Sequence, residues 1–159
     1  MFRIGIIGAG WIAHKMTLAL GYTDEACVYA IASRSEDKAR SFAEEHGIPM
    51  AFGSYEAMLD DTEVDLVYIA TPHSHHFAHA MLALEHGKPV LVEKAFTANA
   101  KEAKILIDTA RNKGLFITEA IWTRYIYSIS HRIRKGQKDQ RSCIHPLIPS
   151  ICETIDERL

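Results

Sequence analysis

The chain has 159 residues, 48% of them apolar and 24% charged, with a formal net charge of −2. That length accommodates one domain with a sizeable core, and the near-neutral balance gives no reason to expect a nucleic-acid or membrane-surface partner. No apolar run approaches the roughly 20 residues that span a bilayer, and three cysteines (Cys27, Cys143, Cys152) without metal-like spacing fit reduced thiols in a cytoplasmic protein.

Strand-like and helix-like segments alternate in chain order. The apolar run 4–7 reads as a strand rather than a cleavable leader, since it follows a single Arg and no charged region. A helix is expected over 11–22 and a second strand over 27–32. Ser35 is a plausible N-cap with Glu36 and Asp37 in the first turn, opening a helix that Gly47 ends. Residues 50–52 form a short strand, and Ser54 caps a small helix to Leu59. The nearly continuous apolar run 65–70 suits a strand covered on both faces. A helix over 74–86 stops at Gly87, and a strand covers 89–92. Asn99 caps a helix to Lys113, Gly114 ends it, and 115–118 is the last strand. Such alternation predicts right-handed crossovers and a parallel sheet, hence a doubly wound α/β (Rossmann) fold. The rhythm stops after Trp122, where a basic stretch (131–141) precedes a tail with two prolines. We therefore expect a nucleotide-binding domain over 1–122 and a remnant or linker over 123–159. A nucleic-acid role for the basic stretch is disfavoured by the net charge and the lack of interleaved aromatics.

The first strand ends in Gly8-x-Gly10-x-x-Ala13. Gly8 permits the tight turn, Gly10 keeps side chains away from a pyrophosphate, and Ala13 allows close helix–strand packing. Free N–H groups over Trp11, Ile12 and Ala13, together with the helix dipole, attract the anion. At the tip of the second strand, where an NAD site places Asp or Glu, the chain has Ser33 and Arg34. Ser33 can donate to a 2′-phosphate, Arg34 can pair with it or stack on adenine, and Lys38 adds charge one turn on. NADP is therefore favoured over NAD; the alternative is a solvated helix start with a surface arginine.

Thr71, Pro72 and His73 follow the most apolar strand, at the end where open α/β sheets bind ligands. His73, His75, His76 and His79 cluster there, yet no carboxylate or Cys completes a ligand set, so no metal is assigned. A loop bordering the nicotinamide is the favoured reading, with His76 among its residues. Glu93 and Lys94 end the next strand on the same rim. Lys94 can polarise a carbonyl or hydroxyl, or deliver a proton, and is the candidate catalytic residue. Glu93 either orients Lys94, binds ribose hydroxyls, or forms a surface ion pair with it. Trp122 and Arg124 follow the last strand, either beside the nicotinamide or simply in packing.

These motifs, in order and each at a strand end, resemble the Gfo/Idh/MocA family of NAD(P)-dependent oxidoreductases, in particular its dihydrodiol dehydrogenase-like branch. The resemblance covers about residues 1–130. It implies that Lys94 contacts the substrate hydroxyl and that Glu93 and His76 line the cofactor site. It further implies that Ser33 and Arg34 read the 2′-phosphate and that Trp122 and Arg124 lie near the nicotinamide. Ala95 and Tyr127 stand where proline is usual, and His73 where Asn is common. Nothing after residue 130 matches the family's second α/β domain, which carries the substrate pocket and dimer face. The chain is thus expected to be the NADP-binding part of an oxidoreductase acting on a sugar, polyol or dihydrodiol, weakly active or inactive alone. The alternative is a non-catalytic NADP-sensing or partner-binding module. A homo-oligomer is possible; nucleic-acid and membrane partners are not expected.

Overall fold

Among the described residues, six strands and five helices follow one another in the order the hydropathy pattern predicts. The computed structural model describes residues 1–121. The elements are β1 (Phe2–Ile7), α1 (Trp11–Leu20), β2 (Ala26–Ala32), α2 (Glu36–His46), β3 (Met50–Phe52), α3 (Tyr55–Leu59), β4 (Leu66–Ile69), α4 (His76–Glu85), β5 (Val90–Val92), α5 (Ala100–Lys113) and β6 (Ile117–Glu119). Every strand pairing is parallel, and the sheet order is β3-β2-β1-β4-β5-β6. The order reverses between β1 and β4, so their carboxyl ends flank a crevice where ligands of open α/β sheets bind.

A parallel sheet needs cover on both faces. On one face Ala13, Met16 and Leu20 of α1 and Phe42 and Ala43 of α2 pack with Ile4, Ile6, Ile31 and Leu66. On the other, Met58, Leu59, Ala80, Leu84, Leu106 and Ala110 of α3, α4 and α5 pack with Ile7, Val67, Ile69 and Val90. Burying each large aliphatic side chain contributes roughly 1.5–3 kcal/mol. Gly5 belongs to this packing rather than to any turn. A Cβ there would lie 2.9 Å from Val64 Cγ1 and 3.1 Å from Met58 Sδ. Gly5→Ala is therefore expected to destabilise the fold by about 1–3 kcal/mol through overpacking. Urea unfolding would register this as a lower midpoint at unchanged slope.

Helix starts match the sequence closely because their caps are local. Ser35 Oγ accepts from the Lys38 amide at 3.4 Å, Ser54 Oγ from Ala57 at 3.1 Å, and Asn99 Oδ1 from Glu102 at 3.0 Å. Other boundaries moved. The helix expected over 11–22 stops at Leu20, with Gly21 as its cap. The helix expected over 74–86 divides into a 3-10 turn (His73–His75) and α4, because the Pro72 carbonyl accepts from His75 in the tighter pattern. The last strand starts two residues late, since the Leu115 amide is still bonded to the Ala110 carbonyl of α5. Among the described residues no helix is long and apolar enough to cross a membrane.

Candidate functional site

The loops at the carboxyl edge of β1, β2, β4 and β5 bring most of the expected residues to one rim. Gly8 follows β1 with φ +104° and donates its amide to the Ala32 carbonyl at 2.9 Å. A Cβ at Gly8 would sit 3.0 Å from the Ala70 carbonyl oxygen, so the β1 turn lies against the end of β4. Gly10 differs: its φ of −113° suits any residue, and a Cβ there would meet nothing within 4 Å. Its lack of a side chain is therefore not required by packing among the described residues, which leave the space beside it open. Gly10 is also the N-cap of α1, where no side chain accepts from the first-turn amides and no acidic residue is present. Orphan N–H groups and the positive helix end thus face that space together. Trp11 is exposed with Lys15 stacked 5.5 Å above its ring, Ile12 is half-buried, and Ala13 is buried against the sheet.

At the tip of β2, Ser33 is buried and its amide donates to the Phe52 carbonyl at 3.1 Å. Its Oγ accepts from the Ser35 amide at 3.4 Å, leaving the hydroxyl proton free to donate. Arg34 is exposed, and its positive charge lies close enough to α3 to act on the Tyr55 phenol. Burial raises the Tyr55 phenol, while the Arg34 charge opposes that shift. The Tyr55 ring packs edge-on to His79, with centroids 4.7 Å apart. Burial lowers the His79 imidazole, aided by the charges of His75 and Arg34, so near neutral pH the ring is uncharged. Its Nδ1 bonds Thr71 Oγ1 at 2.9 Å. Tyr55 and His79 thereby connect the β2 tip to the β4 loop, a link that sequence reasoning missed. The local signal available was an aromatic one residue past the Ser54 cap. Lys38 is exposed in the first turn of α2, and its amide completes the Ser35 cap.

Beyond β4, Thr71 is buried whereas Pro72 and His73 are exposed on the rim. His76 is fully buried. Its Nδ1 lies 2.7 Å from the Ala95 carbonyl oxygen and its Nε2 2.8 Å from the Thr71 carbonyl oxygen. Both partners are carbonyl acceptors, one on each side of the ring. The ring ties the β4 loop to the loop after β5, and holds the site's shape from within. In that second loop the Lys94–Ala95 peptide is cis.

Glu93 is buried at the end of β5. One carboxylate oxygen accepts from the Tyr68 hydroxyl, and the other accepts from the Lys94 amide at 3.1 Å. Burial, reinforced by the Glu93 charge, pushes the Tyr68 phenol well above its ordinary range, so it remains a donor. The Glu93 carboxylate is thus occupied inward, while Lys94 stands exposed on the rim. Glu119 Oε1, on the neighbouring strand, accepts from the Phe96 amide at 2.8 Å and supports the same loop. Trp122 and Arg124 lie outside the described residues. The arrangement offers an anion cradle at α1, a cation and a hydroxyl at the β2 tip, and an amine at the β5 end.

Comparison with known proteins gives a consistent result. The profile of the oxidoreductase family GFO_IDH_MocA, described by its NAD-binding Rossmann fold, matches residues 2–120. A trans-1,2-dihydrobenzene-1,2-diol dehydrogenase of Danio rerio is 42% identical over 125 residues, covering 77% of this chain and 37% of that protein. The NADP(+)-dependent D-xylose 1-dehydrogenase of Hypocrea jecorina is 56% identical over 84 residues, covering 53% of this chain and 21% of that protein. A 3-ketoreductase from Actinomadura kijaniata, solved with NADP, superposes with a TM-score of 0.75 at 32% identity, covering 85% of this chain and 44% of that one. The chain spans well under half the length of these relatives.

Proposed function

The chain belongs to the GFO_IDH_MocA oxidoreductase family, with its NAD-binding Rossmann fold, and on that premise we propose that residues 1–122 are an NADP(H)-binding domain. The reaction it serves moves hydride between nicotinamide and a hydroxyl-bearing carbon of a sugar, polyol or dihydrodiol; its relatives include dehydrogenases of trans-1,2-dihydrobenzene-1,2-diol and of D-xylose. Residues 123–159 are then a linker or remnant that follows this domain, with Arg124 near its start at the nicotinamide border. One observation carries the reading: the uncapped N-terminus of α1 faces an open space beside Gly10 that the described residues do not fill. A pyrophosphate fits both the donors and the room.

Bound there, the dinucleotide supplies a hydride donor or acceptor at nicotinamide C4. The amides of Trp11, Ile12 and Ala13 hold its phosphates. The Ser33 hydroxyl donates to the 2′-phosphate, and Arg34 pairs with it in charge-assisted bonds. Thr71, Pro72, His73 and the buried His76 shape the nicotinamide border, and Glu93 fixes the backbone from which Lys94 projects. The Lys94 ammonium polarises the substrate oxygen or gives it a proton. Trp122 and Arg124 are proposed to border the nicotinamide.

Nucleotide binding is local to these residues and separable from turnover, so the isolated chain is expected to bind NADPH with weak or no turnover. Calorimetric titration of the full chain with NADPH and NADH tests the reading. NADPH should bind the more tightly, and Arg34→Ala should remove roughly 1.5–3 kcal/mol of NADPH affinity, about ten- to a hundredfold, with little change for NADH. Equal affinities, or an Arg34→Ala variant that binds NADPH as tightly as the parent, would contradict it.

A further inference from the structure

We propose that His14, Glu45 and His46 form a binding site for a divalent transition-metal ion of the Zn2+ class, on the seam between α1 and α2 and apart from the nucleotide rim. His14 lies one turn into α1, and Glu45 and His46 close α2. His14 Nδ1 is 3.0 Å from His46 Nε2, and Glu45 Oε1 is 3.9 Å and 3.7 Å from those two nitrogens. Three atoms at about 2.0–2.2 Å from a tetrahedral ion would lie about 3.3–3.5 Å from one another. The observed triangle differs from that by a few tenths of an ångström per edge. The adjustable member is Glu45, whose side chain is 65% exposed.

The donor set suits such an ion. Two imidazoles and one carboxylate are the ligand types of three-coordinate protein sites that leave a fourth position to water. His46 is held in place: its side chain is 7% exposed and its ring packs on Phe42 with centroids 4.5 Å apart. Ligation needs a lone pair on His14 Nδ1 and on His46 Nε2, the two nitrogens that already face each other. A hydrogen bond between the rings accounts for their approach, but it does not use Glu45, which faces both nitrogens beyond bonding distance. Both helices begin at the nucleotide rim, at Gly10 and Ser35, so an ion here ties together the two elements that carry the phosphate sites.

The test is calorimetric titration of the metal-free full chain with Zn2+, repeated with Co2+ by absorption spectroscopy. The expected result is one site, a visible Co2+ band of a four-coordinate ion, and a rise in Tm with Zn2+. His14→Ala should weaken binding at least about tenfold and abolish the band, and Glu45→Gln should weaken it measurably. His75→Ala, in the other histidine cluster, should bind Zn2+ as the parent does. Glu45→Gln alters only an exposed side chain, so it carries the test if His14→Ala does not fold. Absence of Zn2+ binding, unchanged affinity in both site variants, or loss of binding in His75→Ala would overturn the proposal.

Discussion

Gly10→Asp is expected to weaken NADPH binding at least about a hundredfold while leaving the unliganded fold as stable as before or slightly more so. The two effects have opposite signs and separate causes. Gly10 has an ordinary φ, and a side chain there meets nothing within 4 Å, so the substitution costs the protein no strain. It also supplies an N-cap that α1 lacks, worth about 1 kcal/mol. The carboxylate then occupies the space assigned to pyrophosphate and opposes it in charge. At about 4 Å and an effective dielectric near 20, one like-charge pair costs about 4 kcal/mol. Titration with NADPH alongside thermal unfolding of the same sample checks both halves.

His76→Ala is expected to have the largest effect on stability of any single change in the site, about 3 kcal/mol or more. The ring is fully buried and bonds two carbonyl oxygens from different loops. Truncation leaves a cavity and two unsatisfied acceptors, and each of these terms alone costs roughly 1–3 kcal/mol. His76→Gln, whose amide retains two N–H donors, should recover part of the loss. Urea unfolding of the three proteins gives the ranking. If His76→Ala matches the parent, the two loops are held together by something other than this ring.

How much of this was legible in the sequence depended on the distance over which each cause acts. Caps act over three residues, so Ser35, Ser54 and Asn99 announce their helices. The glycine turn is equally local, and the alternation of elements led to the parallel, doubly wound sheet. What escaped were pairings between distant residues. Tyr68 and Glu93 are 25 positions apart, and only the juxtaposition of β4 and β5 brings them together. From the sequence Glu93 therefore has three readings; the fold takes its carboxylate inward. The charge of Arg34 acts on Tyr55 for the same reason, across the β2–β3 pairing. Among the histidines, the sequence drew attention to the crowded run at 73–79. The pair at 14 and 46, on separate helices, became visible only once α1 and α2 lay side by side.

The central claim is that NADP(H) binds across the β1–β4 crevice, on the N-terminus of α1. Amide chemical-shift mapping of the labelled full chain during an NADP titration tests it most directly. The largest perturbations should fall on residues 8–13, 33–34 and 71–73, with His75 and the helix α5 little changed. Saturating NADP with no perturbation of residues 8–13, or with perturbations centred elsewhere, would contradict the account.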